Sequence, residues 1–331
     1  IEYYLDKNFR LGRGLVFHVT PSNLPLNFAY SFFIGLLSGN SNIVKLPKKN
    51  FKEVEIVLDI INDLFKKKKF KSLKISNYFF NINDNSEIYK QVSLISDARM
   101  LWGGDDTINK FRKMEIPERC LDITFSDRYS IAVINSNNFV NLSNKDIEKM
   151  SKKFFYDSYL SNQMACNSPH FVFWIGEKSL SCQKKFWDNV KKIVQDKYLF
   201  NDFQIYKKYE NFISNLISQN FIKSIFLDDN KVRILEISNK INNIENIRGI
   251  YGTFFQVNLH DINQLSKFIT KKCQTVINFG FKNKKILDFI ETHNLTGIDR
   301  IVEPGQAMNF NANWDSFNLI NTLSRIIEVN D

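Results

Sequence analysis

Residues 15–46 read LVFHVTPSNLPLNFAYSFFIGLLSGNSNIVKL, and the punctuation of this stretch decides the fold. Positions 15–20 form a β-rich run that ends at Pro21, a residue without the N–H that a central strand needs. Positions 26–37 are apolar on most sides, as a buried helix is, and close at Ser38-Gly39-Asn40, a helix stop. A short strand over 42–46 follows and is cut by Pro47. Strand, buried helix and strand in close succession predict a βαβ unit with parallel strands.

The alternation continues outward from there. Positions 51–65 place apolar residues at Val54, Val57, Leu58, Ile61, Leu64 and Phe65, which is helical spacing. A strand over 98–102 runs into Gly103-Gly104 and a helix over 105–112, with Asp105 as its expected cap. Such βαβα order predicts an α/β fold, a mostly parallel sheet with helices on both faces. A strand over 131–135 precedes a long amphipathic helix over 143–160, with Ser143 or Asn144 as cap and Asp146 and Glu148 in its first turn. Helices are expected over 180–198 and 204–219, and strands over 170–175, 222–227, 232–237, 252–258 and 275–279. The boundary between two α/β domains is placed near Ser136. No internal repeat or low-complexity linker is visible.

With 331 residues the chain has room for two cores. It starts at Ile1 rather than Met, so further N-terminal sequence is expected. A net charge of +10 invites a nucleic-acid reading, but the lysines are scattered among Asn, Ile and Phe, and no nucleic-acid partner is expected. The run KKKKFK (66–71) reads as a solvated surface loop. A positive surface would instead steer an anionic substrate. Four cysteines without paired spacing argue against a disulfide framework or a metal site and suit a reducing cytoplasm. The apolar stretch 28–37 falls well short of the ~20 residues that span a bilayer.

Cys166 stands apart from the other cysteines. It lies in DSYLSNQMACNSP (157–169) between small polar residues, just ahead of the strand-like run. A nucleophilic cysteine needs that kind of access, and nearby dipoles that lower its pKa. Cys182 sits in an amphipathic helix, Cys120 precedes a strand, and Cys273 leads into apolar TVINF (275–279), all packing contexts. His18 reads as a core or edge histidine, and His170 is given no role.

In order along the chain, LVFHVTPSNLP (15–25), GNSNIVK (39–45), WGGDDTI (102–108), SIAVI (130–134), the cysteine segment, GIDRIVEPGQAM (297–308) and Trp314-Asp315 resemble the aldehyde dehydrogenase superfamily. The closer likeness is to its long-chain fatty acyl-CoA reductases, the bacterial luminescence type. The resemblance implies an aldehyde dehydrogenase-like fold. It assigns residues 1–136 to an NADP-binding domain, 137–305 to a catalytic cysteine domain, and 306–331 to a C-terminal segment that packs on the first domain or builds an oligomer contact. It makes Cys166 the nucleophile and Asn23, bracketed by Pro21 and Pro25, the oxyanion donor.

The family binds its dinucleotide without a G-x-G-x-x-G fingerprint, and this chain has none. The resemblance assigns Lys45 to the adenosine ribose. Lys48 stands where NAD-using relatives often carry a glutamate, which favours a 2′-phosphate and so NADPH, with NADH as the alternative. Gly103 and Gly104 let a backbone approach the cofactor closely, and Trp102 is expected on its nicotinamide side. Asp105 would compete with a phosphate at the helix start. Thr124 occupies the place of the glutamate that activates water in hydrolytic relatives, which points to a reductive or acylating enzyme. The expected activity is NADPH-dependent reduction of a fatty acyl-CoA or acyl thioester to the aldehyde. The alternatives are an acyl-phosphate reductase of the same fold and an inactive scaffold in a lipid or surface-polysaccharide pathway. A homo-oligomer is expected, with an acyl-activating or acyl-transferring protein as partner.

Overall fold

A computed structural model describes residues 9–82, 86–177, 179–218, 221–241 and 243–328. The chain falls into two compact units, residues 1–127 together with 310–331, and residues 128–309.

The first unit is built on a five-stranded sheet in the order Asn77–Phe80, Ser41–Lys45, Leu15–Val19, Ala98–Trp102, Leu121–Phe125. All four pairings are parallel. Every residue of Ala98–Trp102 is buried, so the run does not alternate between a core and a solvent face, and its one charged member, Arg99, is paired with Asp122 at 2.7 Å. The helix Asn27–Leu37 ends as its sequence predicts: Gly39 takes a left-handed φ of 81°, Asn40 N–H bonds Gly35 O at 3.2 Å, and Gly39 N–H bonds Leu36 O at 3.0 Å. These are the two bonds of a Schellman motif. Residues 312–326 pack into this unit. Trp314, Leu319, Ile320 and Leu323 share a core with Val16, Met100, Trp102 and Phe125, and Ser324–Ile326 pairs antiparallel with Arg10–Gly12.

The second unit carries a seven-stranded sheet in the order Arg300–Val302, Cys273–Phe279, Tyr129–Asn135, Pro169–Ile175, Thr253–Leu259, Arg233–Ile237, Ile222–Asp228. Its pairings are parallel except the last, which is antiparallel. The long helix is Asn144–Tyr159, capped by Ser143, whose Oγ accepts from Asp146 N–H at 3.2 Å.

Three readings change. The strand Tyr129–Asn135 belongs to the second sheet, so the division falls at 127/128 and 309/310 instead of near Ser136 and 305. The apolar run said that a strand was there but not which sheet it joins. The lysine run is helical and exposed, with a 3₁₀ turn at Lys68–Phe70 and a short helix at Lys71–Ser76. The helix start after the two glycines is capped by Gly104, and Asp105 is its first residue. The helix expected over 204–219 spans Asp202–Ser218, with position 219 outside the described residues. Among the described residues no helix is long and apolar enough to cross a membrane.

Candidate active site

In the first sheet the chain starts at the centre, steps outward to Asn77–Phe80, and then returns to the other side of Leu15–Val19. The switch point therefore lies between Leu15–Val19 and Ala98–Trp102. Ligands of open α/β sheets bind outside the carboxyl ends of strands at such a point. Those two ends run directly into Thr20–Pro25 and Gly103–Gly104, so two of the sequence motifs meet there. Asn23 is exposed in the first of these turns. Thr20 Oγ1 donates to Lys45 O at 2.6 Å and fixes the turn to the neighbouring strand end.

Trp102 is placed differently from the expectation. Its side chain is buried in the unit's core, stacked on Phe125 with ring centroids 3.6 Å apart, and its Nε1–H donates to Ser31 Oγ at 3.1 Å. Ser31 in turn meets His18 Nδ1 at 2.8 Å, and His18 Nε2 meets Asn42 Oδ1 at 2.9 Å. Asn42 spends its amide N–H groups on Asn40 O and Asn77 Oδ1, so its carbonyl accepts from His18. Burial pushes the His18 pKa down to about 4, and the ring is a neutral, satisfied core group.

For a nicotinamide cofactor the fit is uneven. A Cβ at Gly104 would meet nothing within 4 Å, and the helix Asp105–Arg112 starts without a side-chain cap. Asp105 and Asp106 in its first turn oppose an anion at that end. Lys45 is buried, with Nζ 3.5 Å from Leu46 O, whereas Lys48 is exposed just beyond the strand. The lysine turn, more than the helix end, suits a phosphate. Thr124 lies on Leu121–Phe125 and accepts from Arg112 at 3.4 Å.

The cysteine turn of the second unit is clamped from several sides. After Asn144–Tyr159 the chain reverses through Asn162 and Gln163, both left-handed with φ of 56° and 60°. Gln163 is buried and makes four bonds. Its Nε2 donates to Pro169 O at 3.1 Å and Thr253 O at 2.9 Å, and its Oε1 accepts from Gly252 N at 3.0 Å and Thr253 N at 3.2 Å. Cys166 is partly exposed at the amino end of Pro169–Ile175. Its carbonyl accepts from Ser130 Oγ at 2.7 Å, and its Sγ accepts from Gln274 Nε2 at 3.3 Å. Asn167 Nδ2 donates to Ala307 O at 2.6 Å.

His170 does not serve as a base for this thiol. Its Nδ1 bonds Gly249 O at 3.0 Å, and burial, aided by the Arg248 charge, pushes its pKa down to about 3. Burial raises the Cys273 thiol to about 12 and Cys120 to about 11, so both stay protonated at neutral pH.

The EPGQAM segment (303–308) is tied to the helix that leads into this turn by Asp157, which accepts from Gly305 N at 2.6 Å and Ala307 N at 2.9 Å. Desolvation outweighs these bonds and lifts its pKa from 3.8 to about 6. Because the folded-state pKa is raised, the folded protein holds this proton at pH values where the unfolded chain has released it. This group's contribution to stability therefore falls as pH rises from about 4 to about 6 and is flat above that window. Asp157→Asn is expected to remove that slope, measured as the difference between wild-type and variant urea midpoints at pH 4.5 and pH 7.

A family model described as acyl-CoA reductase (LuxC) matches residues 6–326. The chain belongs to the acyl-CoA reductase (LuxC) family. Long-chain acyl-protein thioester reductase 2 of Photobacterium leiognathi is 23% identical over 167 residues, a match reaching 50% of this chain and 33% of that protein. The chain therefore matches about a third of the length of that relative. Among solved structures, aldehyde dehydrogenase 21 from Physcomitrella patens, in complex with the reaction product succinate, superposes with a TM-score of 0.67. It is 11% identical, with 96% of this chain and 69% of that one covered. Glyceraldehyde-3-phosphate dehydrogenase GapN from Methanocaldococcus jannaschii, complexed with NADP, gives a TM-score of 0.64 at 14% identity, covering 97% and 73%. These likenesses establish an aldehyde dehydrogenase-like fold.

Sequence reasoning missed Ser130, Gln163 and Gln274 in this LuxC-family chain, and it quoted Asp157 without giving it a role. A signal existed for Gln274, a polar side chain inside the fully buried strand Cys273–Phe279. For the others the partners are backbone groups, most of them far away in sequence, which no local pattern announces.

Proposed function

We propose that this protein reduces a fatty acyl thioester, in the first instance an acyl-CoA, to the aldehyde through an acyl-cysteine at Cys166. The observation that carries this reading is the partly exposed Cys166 thiol in a clamped turn, in a chain whose family model covers 6–326. The Cys166 thiolate attacks the thioester carbonyl, a C–S bond forms, and the coenzyme leaves as its thiolate. Asn23 is the proposed oxyanion donor for the charge that grows on the carbonyl oxygen. Lys45, Lys48 and the Gly103-Gly104 turn would hold the nicotinamide cofactor, which would supply the hydride when bound. Cys166 then leaves the resulting thiohemiacetal as thiolate, and the aldehyde is released.

Intact-protein mass after mixing with acyl-CoAs of several chain lengths, without nicotinamide, followed by peptide mapping, tests the core of this reading. A gain equal to the acyl group on Cys166, lost on adding NADPH, is expected. No uptake from any thioester, with uptake from acyl phosphates, would move the substrate class to acyl phosphates.

Asn23→Ala is expected to lower kcat by roughly a hundredfold to a thousandfold, the usual loss for one oxyanion donor. The check is single-turnover acyl loading, because a purely structural asparagine would leave the loading rate unchanged. Lys48→Glu is expected to cut the preference for NADPH over NADH by at least about tenfold, the worth of one charge-assisted bond. Paired KM measurements for the two cofactors read this directly. An acyl-carrying protein partner and self-association belong to the same proposal.

A further inference from the structure

We propose that Gln274 is a catalytic residue, whose buried side-chain amide stabilises and orients the Cys166 thiolate; this rests on Cys166 being the nucleophile. The placement is made by a break in the sheet. Cys273 pairs with Tyr129 and Val276 with Ile131, so Gln274 and Thr275 together stand opposite Ser130. Two residues facing one is a β-bulge, a device that re-aims side chains next to active sites. Here it turns Gln274 Nε2 onto Cys166 Sγ at 3.3 Å.

Thr275 Oγ1 donates to Gln274 Oε1 at 3.4 Å, which fixes the amide with its N–H groups toward the sulfur. Thr275 N–H goes to Ser130 Oγ at 3.2 Å, and that hydroxyl donates to the Cys166 carbonyl at 2.7 Å. One bulge thus holds both the sulfur and the backbone of the same residue. A thiolate accepts a hydrogen bond far better than a thiol, so a fixed donor favours the ionised form, and Gln274 is fully buried, where such a bond is least diluted by water. An amide cannot take the proton, so its role is electrostatic.

The test is the pH profile of iodoacetamide alkylation at Cys166, followed by peptide mass in the intact protein. Around the turn, His170 stays neutral, Asp157 is ionised above about pH 6, Cys273 titrates only near 12, and Arg128 is paired with Asp299. Gln274→Met, similar in length and without a donor, is expected to raise the alkylation midpoint and slow the reaction at pH 7 by about three- to tenfold. Gln274→Glu sets a carboxylate against the thiolate and is expected to slow it more than about tenfold. A packing role would lower the melting temperature without moving the midpoint. Midpoints equal to wild type in either folded variant overturn the inference, even if wild type takes up acyl groups on Cys166. Shifted midpoints with no acyl uptake by wild type would instead keep the amide–thiolate contact and defeat the proposed reaction.

Discussion

Replacing Cys166 with serine is expected to abolish acyl uptake from thioesters and to lower reductase turnover by at least about a thousandfold. A serine hydroxyl is protonated at neutral pH and needs a base to become a nucleophile. Ser130 and Gln274, which bond Cys166, offer a hydroxyl and an amide, neither of them a base at neutral pH. His170 is committed to Gly249 and held neutral, so it does not rescue the hydroxyl. Stability should barely change, because Ser130 grips the residue through its backbone carbonyl and the side chain is partly exposed. Intact mass and a melting curve on the same sample separate the two effects. Acyl uptake that persists in the variant on Cys182 would move the nucleophile there.

Gln163→Ala is expected to cost about 3–5 kcal/mol of stability, the range in which a broken buried hydrogen-bond network falls. One side chain satisfies two backbone N–H groups and accounts for bonds to two carbonyls, joining Pro169 at the head of one strand to Gly252 and Thr253 at the head of the next. Truncation leaves those groups buried without that partner. Alanine inherits the left-handed backbone at this position, whereas glycine tolerates it. Gln163→Gly should therefore be less damaged than Gln163→Ala by about 1 kcal/mol. Urea denaturation of the three proteins reads both differences. A loss under about 1 kcal/mol for alanine would mean that water replaces the amide without penalty.

Much of the fold was legible because parallel strands buried on both faces leave continuous apolar runs between glycine and proline stops. Ala98–Trp102 and the helix Asp105–Arg112 were read at their observed bounds, and the helix end at Gly39 was read with its cause. Asn77–Phe80, only four residues long with one exposed tyrosine, gave too little pattern to be found. The placement of Tyr129–Asn135 was hidden because membership of a sheet is a long-range property. At the candidate site, Cys166 and Asn23 were visible as unusual residues in proline-marked or polar turns. Trp102 illustrates the opposite case: beside two glycines it looked like a ligand contact, but an indole with a hydroxyl and a phenyl ring within reach is stabilised by burial. Gln274 stood out as a polar residue at the head of an apolar run, but its aim at Cys166 did not, because a bulge is a relation between strands and a register shift leaves no mark in one strand's sequence.

The first unit is made of two pieces of chain with the whole of 128–309 between them. Residues 10–12 must find 324–326, and Val16, Met100 and Trp102 must wait for Trp314, Leu319 and Leu323 to close their core. A ribosome delivers the intervening unit complete before it delivers those side chains. The continuous unit can therefore finish folding during synthesis, whereas the split one reaches its final packing only once residues 314–326 have emerged, with a long loop closure to complete. Until then one face of its parallel sheet has Ile34 and Tyr30 against it but lacks the cover of Trp314, Leu319, Ile320 and Leu323. The nascent protein is thus most exposed to aggregation and to chaperones in the interval between residue 127 leaving the exit tunnel and residue 323 following it.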